Sequence, residues 1–156
     1  MRHLVLPLAL FVALPLAAST GEPGGAAETD QRGAVQAWQG PSAGYTVIDF
    51  AASWCRPCWA VLPRLEAFAT EHPEIRVVAV SVDDAVSGRD LLVAKLHLTI
   101  PVLWDGRHRI AEHYRPAAMP STFVLDPSGA IVYRHTGSTL EDWDAMVAFL
   151  ADATKR

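Results

Sequence analysis

Trp54-Cys55-Arg56-Pro57-Cys58 holds both cysteines of this 156-residue chain, two residues apart. It sits between a β-branched, aromatic run, Tyr45-Thr46-Val47-Ile48-Asp49-Phe50-Ala51, and a segment whose Val61, Leu62, Leu65 and Phe68 recur at helical spacing. The pair therefore lies at a strand-to-helix junction. A helix beginning near Cys55 would turn unpaired backbone N–H groups and the positive end of its dipole toward that sulfur. Such an arrangement suits two-electron thiol–disulfide exchange. It suits a structural crosslink poorly, because so small a ring removes little entropy from the unfolded chain.

The rest of the chain alternates. Residues 75–82 read as a second strand, near-continuously apolar as when both faces are covered. A helix is expected over 90–98, opened by Asp83, Asp84 or Ser87, then a short strand over 100–104 and a helical stretch over 109–114. Strands over 121–125 and 130–135 are joined by Asp126-Pro127-Ser128-Gly129, a type I turn and so a hairpin. Ser138 with Glu141 reads as a capping box for a last helix, with Leu140, Trp143, Val147 and Leu150 on one apolar face. Pro63 is expected to kink the first helix. The order predicts an α/β fold, a mixed central sheet flanked by helices.

Bulk composition narrows the function. Hydrophobic residues make up 51% and charged residues 19% of one domain's worth of chain, so a packed core is expected. A net charge of −4 gives no electrostatic reason to expect nucleic acid as a partner. Arg2 and His3 precede the apolar run Leu4 to Ala18, and Ala17-Ala18-Ser19 offers small residues for cleavage. Residues 1–19 thus read as a signal peptide, with an uncleaved membrane anchor as the alternative. Export implies an oxidising compartment, the periplasm, with the domain free or tethered to the inner membrane. Residues 20–33, rich in Gly, Pro and small polar groups, read as a flexible tether, and 34–156 as the folded domain, with a short edge strand over Val35 to Trp38.

The CxxC site, the strand ending in Asp49-Phe50-Ala51, the stretch Met119-Pro120-Ser121-Thr122-Phe123 and the Asp126-to-Gly129 hairpin occur in an order that resembles the thioredoxin superfamily. More narrowly, it resembles exported TlpA/ResA-type thiol–disulfide oxidoreductases. The resemblance implies a thioredoxin fold with a helix–strand insert, here within 86–104, ahead of a cis-proline loop at Pro120. Two positions depart from that subfamily: Val61 stands where many members carry glutamate, and Asp49 where asparagine is common. Cytochrome c maturation is a common role of the glutamate-bearing members, so with Val61 the resemblance leaves that role open.

Cys55, beside the Arg56 cation, is the expected nucleophile and Cys58 the resolving thiol. Asp49, a charge in an apolar strand, is expected to have a raised pKa and to exchange the Cys58 proton. Trp54, Pro57, Met119 and Pro120 are expected to shape the substrate site, Pro120 through a cis bond that presents Met119 backbone groups to a partner strand. Trp59 either extends an apolar docking patch or packs locally. Arg107, His108, Arg109, His113 and Arg115 form a basic run, read as a solvated face, the alternative being that it steers an acidic partner or stabilises the Cys55 thiolate. His72, His97 and His135 show no metal spacing.

The leading expectation is an exported protein-disulfide oxidoreductase, leaning to reductase. Its substrates would be cysteine-containing exported proteins, with a membrane or periplasmic redox partner to recycle it. No cofactor or metal is called for, and a monomer is expected. The alternatives are a thiolate site for Cu(I) and a non-catalytic thioredoxin-like binding module.

Overall fold

A computed structural model describes residues 27–155 of the chain. The expected signal peptide, and residues 20–26 of the expected tether, lie outside the described residues. Eleven elements follow in order: β1 (Ala27–Thr29), β2 (Val35–Ala37), β3 (Thr46–Ala51), α1 (Cys58–Glu71), β4 (Arg76–Ser81), α2 (Val86–Leu96), β5 (Val102–Trp104), α3 (Arg109–Tyr114), β6 (Ser121–Leu125), β7 (Ile131–Thr136) and α4 (Leu140–Ala153). The sheet order is β5-β4-β3-β6-β7, with β3, β4 and β5 parallel and β6 and β7 antiparallel to their neighbours. This is the expected mixed sheet.

Every residue of the central strand β3 is buried, which fits a run that is apolar apart from Thr46 and Asp49. Two helical layers cover it. Phe50 packs on Tyr114 of α3 and on Phe123, so α3 lies over the face that Phe50 shares. Asp49 points to the other face, with its cross-strand neighbour Thr122 and, two residues on, Val124. Tyr133, opposite Val124, stacks on Phe149 of α4, and Trp143 of α4 meets Phe68 of α1. Asp49 therefore lies on the face that α1 and α4 cover.

Residues 27–33 correct the tether. They form part of a β1–β2 hairpin closed around Asp30, whose buried carboxylate accepts from the backbone N–H groups of Arg32 (2.8 Å) and Ala34 (3.0 Å). Asp30 also bridges to Leu103 at the open edge of β5. The Gln31 amide continues the pairing, donating to the Ile100 carbonyl (2.9 Å) and accepting from Val102 N–H (2.7 Å). The small polar residues thus cover an exposed sheet edge, a position where bare N–H and C=O groups invite aggregation. The expected edge strand is β2, paired with β1 rather than with the main sheet.

Helix starts differ in three places. α1 begins at Cys58 with Pro57 as its N-cap, so Cys55 lies in the turn before the helix. α2 is capped by Ala85, without a side-chain bond. The cap of α4 is Thr139, whose hydroxyl accepts from Asp142 N–H (3.1 Å); Ser138 and Glu141 do not form it. Leu140 is exposed, and Met146 takes the buried place beside Leu150. The hairpin turn is as expected: Gly129 at φ +88° follows the type I turn, and Asp126 N–H donates to Ala130 O (2.9 Å).

Candidate functional site

Register brings the site together. Ala51 at the end of β3 pairs with Ser81 at the end of β4, Ser81 pairs with Trp104 at the end of β5, and Phe50 pairs with Ser121 at the start of β6. The loops leaving β3, β4 and β5 and the loop entering β6 consequently meet at one edge, where α/β sheets commonly bind ligands. A groove there is lined by Trp54, Val82, His108, Arg115 and Met119, with the carboxylates of Asp84 and Glu112 also on its walls.

Cys55 and Cys58 form a disulfide. Cys58 is fully buried and Cys55 shows 4% of its surface, so Cys55 is the more accessible of the two. Although Cys55 precedes the helix, the first helical N–H, that of Cys58, donates to its Sγ at 3.2 Å. The anion-favouring end of α1 is therefore aimed at the sulfur as expected, one turn earlier than the helix itself.

Trp54 is 67% exposed and forms a wall between two concavities. The second is lined by Ser53, Trp54, Arg56, Trp59 and Ala60. Trp59 both packs locally and faces this concavity, because its Nε1 donates to Ser53 O at 2.9 Å. The Met119–Pro120 peptide is cis, and Pro120 is buried beside half-buried Met119. Pro57 stands at the head of α1 and lines neither concavity.

Asp49 is fully buried. Its Oδ1 accepts from the Thr122 hydroxyl at 2.7 Å, while Oδ2 has no hydrogen-bond partner among the described residues. Burial pushes its pKa up from 3.8 to about 7, against the smaller lowering effect of Thr122. It thus sits near neutrality beneath the helix whose first residue is Cys58.

One carboxylate of the site escaped sequence reasoning in this role. Asp83, expected as a helix cap, accepts instead from Ser53 N–H (3.0 Å), the Ser53 hydroxyl (2.7 Å) and the Ser81 hydroxyl (2.8 Å). It clamps the residue before Trp54-Cys55, and Ser53 in turn holds Trp59. Gly88 leaves it room: a Cβ there would fall 2.3 Å from Asp83 Cγ. The signal available in the sequence was an aspartate directly after an apolar strand, which serves a cap or a long-range clamp equally well. Asp83→Ala removes the acceptor of the buried Ser81 hydroxyl and of two donors on half-buried Ser53 and is expected to cost about 2–4 kcal/mol in urea unfolding. A loss below about 0.5 kcal/mol, the size of an ordinary surface change, rules out the clamp.

The basic run divides. Arg109 pairs with Glu28 at 3.5 Å, and His113 packs against Trp38 and Tyr114. Arg107 and Arg109 line a separate hollow with Glu28, Arg89 and Asp105. His108 and Arg115 alone of the run face the groove beside the disulfide. Among the described residues, no group of three His, Cys, Asp or Glu is placed to hold a metal ion, and no helix is long and apolar enough to cross a membrane.

A model of the AhpC/TSA family matches residues 26–134, more than half of the chain. The chain belongs to the AhpC/TSA family. Family membership agrees with the thioredoxin-like sheet order and the disulfide at the β3–α1 junction. The chain is 32% identical over 87 residues to the thiol-disulfide oxidoreductase ResA of Oceanobacillus iheyensis, covering 54% of this chain and 45% of ResA. It is 31% identical over 112 residues to a thiol:disulfide interchange protein DsbE homologue of Paracoccus denitrificans, covering 72% and 61%. The chain spans less than two thirds of the length of these relatives. Among solved structures, a thiol:disulfide interchange protein DsbE from Chlorobium tepidum superposes with a TM-score of 0.74 at 24% identity, over 84% of this chain and 94% of the other. At that identity the likeness speaks for the fold.

Proposed function

We propose that this protein is an exported thiol–disulfide oxidoreductase that reduces cysteine pairs in partner proteins. The observation that carries the reading is the Cys55–Cys58 disulfide directly after Trp54, which walls an open groove, with a helical N–H on the outer sulfur. In the reduced protein the Cys55 thiolate attacks one sulfur of a substrate disulfide. That S–S bond breaks, a mixed disulfide forms, and the departing substrate thiolate takes up a proton. Cys58 then loses its proton and attacks Cys55 Sγ, releasing the second substrate thiolate and closing the Cys55–Cys58 bond. Two electrons and two protons pass to the substrate, and an external dithiol must restore the protein.

Asp49 is the proposed acceptor of the Cys58 proton. A carboxyl with a pKa of about 7 can both take and return a proton at neutral pH. A buried carboxyl on the sheet face that α1 covers also opposes thiolate accumulation at Cys58, which favours the disulfide product and hence the reductant direction. Trp54, Met119 and Pro120 would hold the substrate segment, with Pro57 restraining the loop. Export rests on residues 1–19, whose basic start and apolar run suit a signal peptide. Its substrates would be exported proteins with cysteines, its recycling partner a membrane or periplasmic dithiol, and its working form a monomer.

The test is the equilibrium reduction potential, followed by tryptophan fluorescence in thiol buffers. A value of about −270 mV is expected for a reductase. A value of about −120 mV would reverse the direction, and a pair that never equilibrates with thiols would remove the activity.

A further inference from the structure

We propose that the groove beside the disulfide continues into a cationic cavity that selects substrate segments carrying acidic side chains near their cysteines. The proposal rests on the thiol–disulfide reading above and names the chemistry of its substrate. Arg115 lines both concave surfaces. On one side is the groove of Trp54 and Met119. On the other is a cavity of about 420 Å³, lined by Arg115, Ala117, Phe123, Arg134, His135 and Thr136. An extended segment laid along residues 115–119 would reach from the disulfide into that second cavity.

Charge decides what such a segment carries. In the groove, the two carboxylates of Asp84 and Glu112 face the single guanidinium of Arg115, so the groove itself does not draw an acidic side chain. Among the described residues, no acidic side chain lines the cavity beyond, which adds the Arg134 guanidinium to that of the shared Arg115. Burial lowers the His135 pKa, so that ring adds little charge at neutral pH. Asp142, the carboxylate that acts on His135, is engaged by the Thr139 hydroxyl at 2.5 Å. Arg115 and Arg134 form no ion pair with a carboxylate among the described residues, as is also true of Arg56, Arg64, Arg76 and Arg107.

Backbone conformation points the same way. Arg115 closes α3 in the left-handed region, at φ +53°, with its N–H on Ala111 O at 2.8 Å. Glycine or asparagine fills such a position at lower cost, and an L side chain there gives up roughly 1 kcal/mol or more. The helix end would be capped equally well without a side chain. What the arginine adds is a cation between the groove and the cavity, in a backbone region that His97 and His108 also occupy at helix ends.

Three synthetic peptides test the proposal. Each is closed by one disulfide between two cysteines, and they differ only in whether the flanking residues are glutamate, glutamine or lysine. Oxidation of the reduced full chain is followed by tryptophan fluorescence in a single turnover. The glutamate peptide is expected to react at least about tenfold faster than the lysine peptide at low salt, with glutamine between and the gap narrowing as salt rises. The gap should shrink to within about twofold in the R115Q/R134Q double variant, since rim charges act mainly through the association rate. Equal rates for all three peptides in the wild-type chain, or a gap of full size in the double variant, would overturn the acidic selectivity and leave the exchange reading standing. If the reduced chain oxidises none of its thiols with any peptide, both readings fall.

Discussion

Cys55→Ser is expected to lower turnover of disulfide substrates by at least about a thousandfold, to the rate of the thiol buffer alone. Serine keeps the shape of the side chain and the donor from Cys58 N–H, but an alkoxide is inaccessible at neutral pH where a thiolate is not. Cys58→Ser should behave differently. The first attack needs Cys55 only, so the variant should still form the mixed disulfide, and without a resolving thiol it should hold it. The prediction is a covalent adduct on a non-reducing gel that dithiothreitol releases, for Cys58→Ser and not for Cys55→Ser. An adduct on Cys55→Ser would exchange the roles of the two sulfurs, and turnover retained in both variants would end the thiol mechanism. The burial difference between the two residues, 4% against 0%, is the structural ground for the order.

The parts of this site that sequence made legible are those whose chemistry is local. A two-residue spacing between cysteines and a proline before Ser-Thr-Phe each declare a geometry within a few residues, and the disulfide and the cis Met119–Pro120 bond are present. Asp49 was legible because a charge in an apolar strand has few uses. What stayed hidden depends on distant partners. Asp83 could serve a helix three residues ahead or a serine thirty residues behind, and only the fold, by bringing β3 and β4 side by side, decides for Ser53. Ser138 and Thr139 are adjacent hydroxyls with an acidic residue three positions on from each. Thr139 forms the cap because its backbone is extended (φ −68°, ψ 155°) where the chain enters α4. Residues 27–33 looked like linker because their composition is that of one, and their order comes from the β5 edge they cover.

Asp49→Asn is expected to raise stability and to remove its main pH dependence at once. The carboxyl has a folded pKa of about 7 against an ordinary 3.8, so between those values the folded protein holds a proton that the unfolded chain has lost. Stability therefore falls as pH rises through that window, by at most about 1.4 kcal/mol per pH unit, and levels off above pH 7. The full contribution of the neutral acid is present only below about pH 4. Asparagine never ionises and can still accept from Thr122. At pH 8 the variant should be roughly 2–4 kcal/mol more stable than the wild type, with no advantage near pH 4. Urea unfolding at several pH values measures this. Parallel curves for the two proteins would mean that Asp49 does not titrate in that window. The same substitution removes the proposed proton acceptor for Cys58, so resolution of the mixed disulfide should slow by at least about tenfold and lose its inflection near pH 7. A merely structural aspartate would give the stability change without the kinetic one, and a residue kept at the cost of stability is what a proton-transfer role requires.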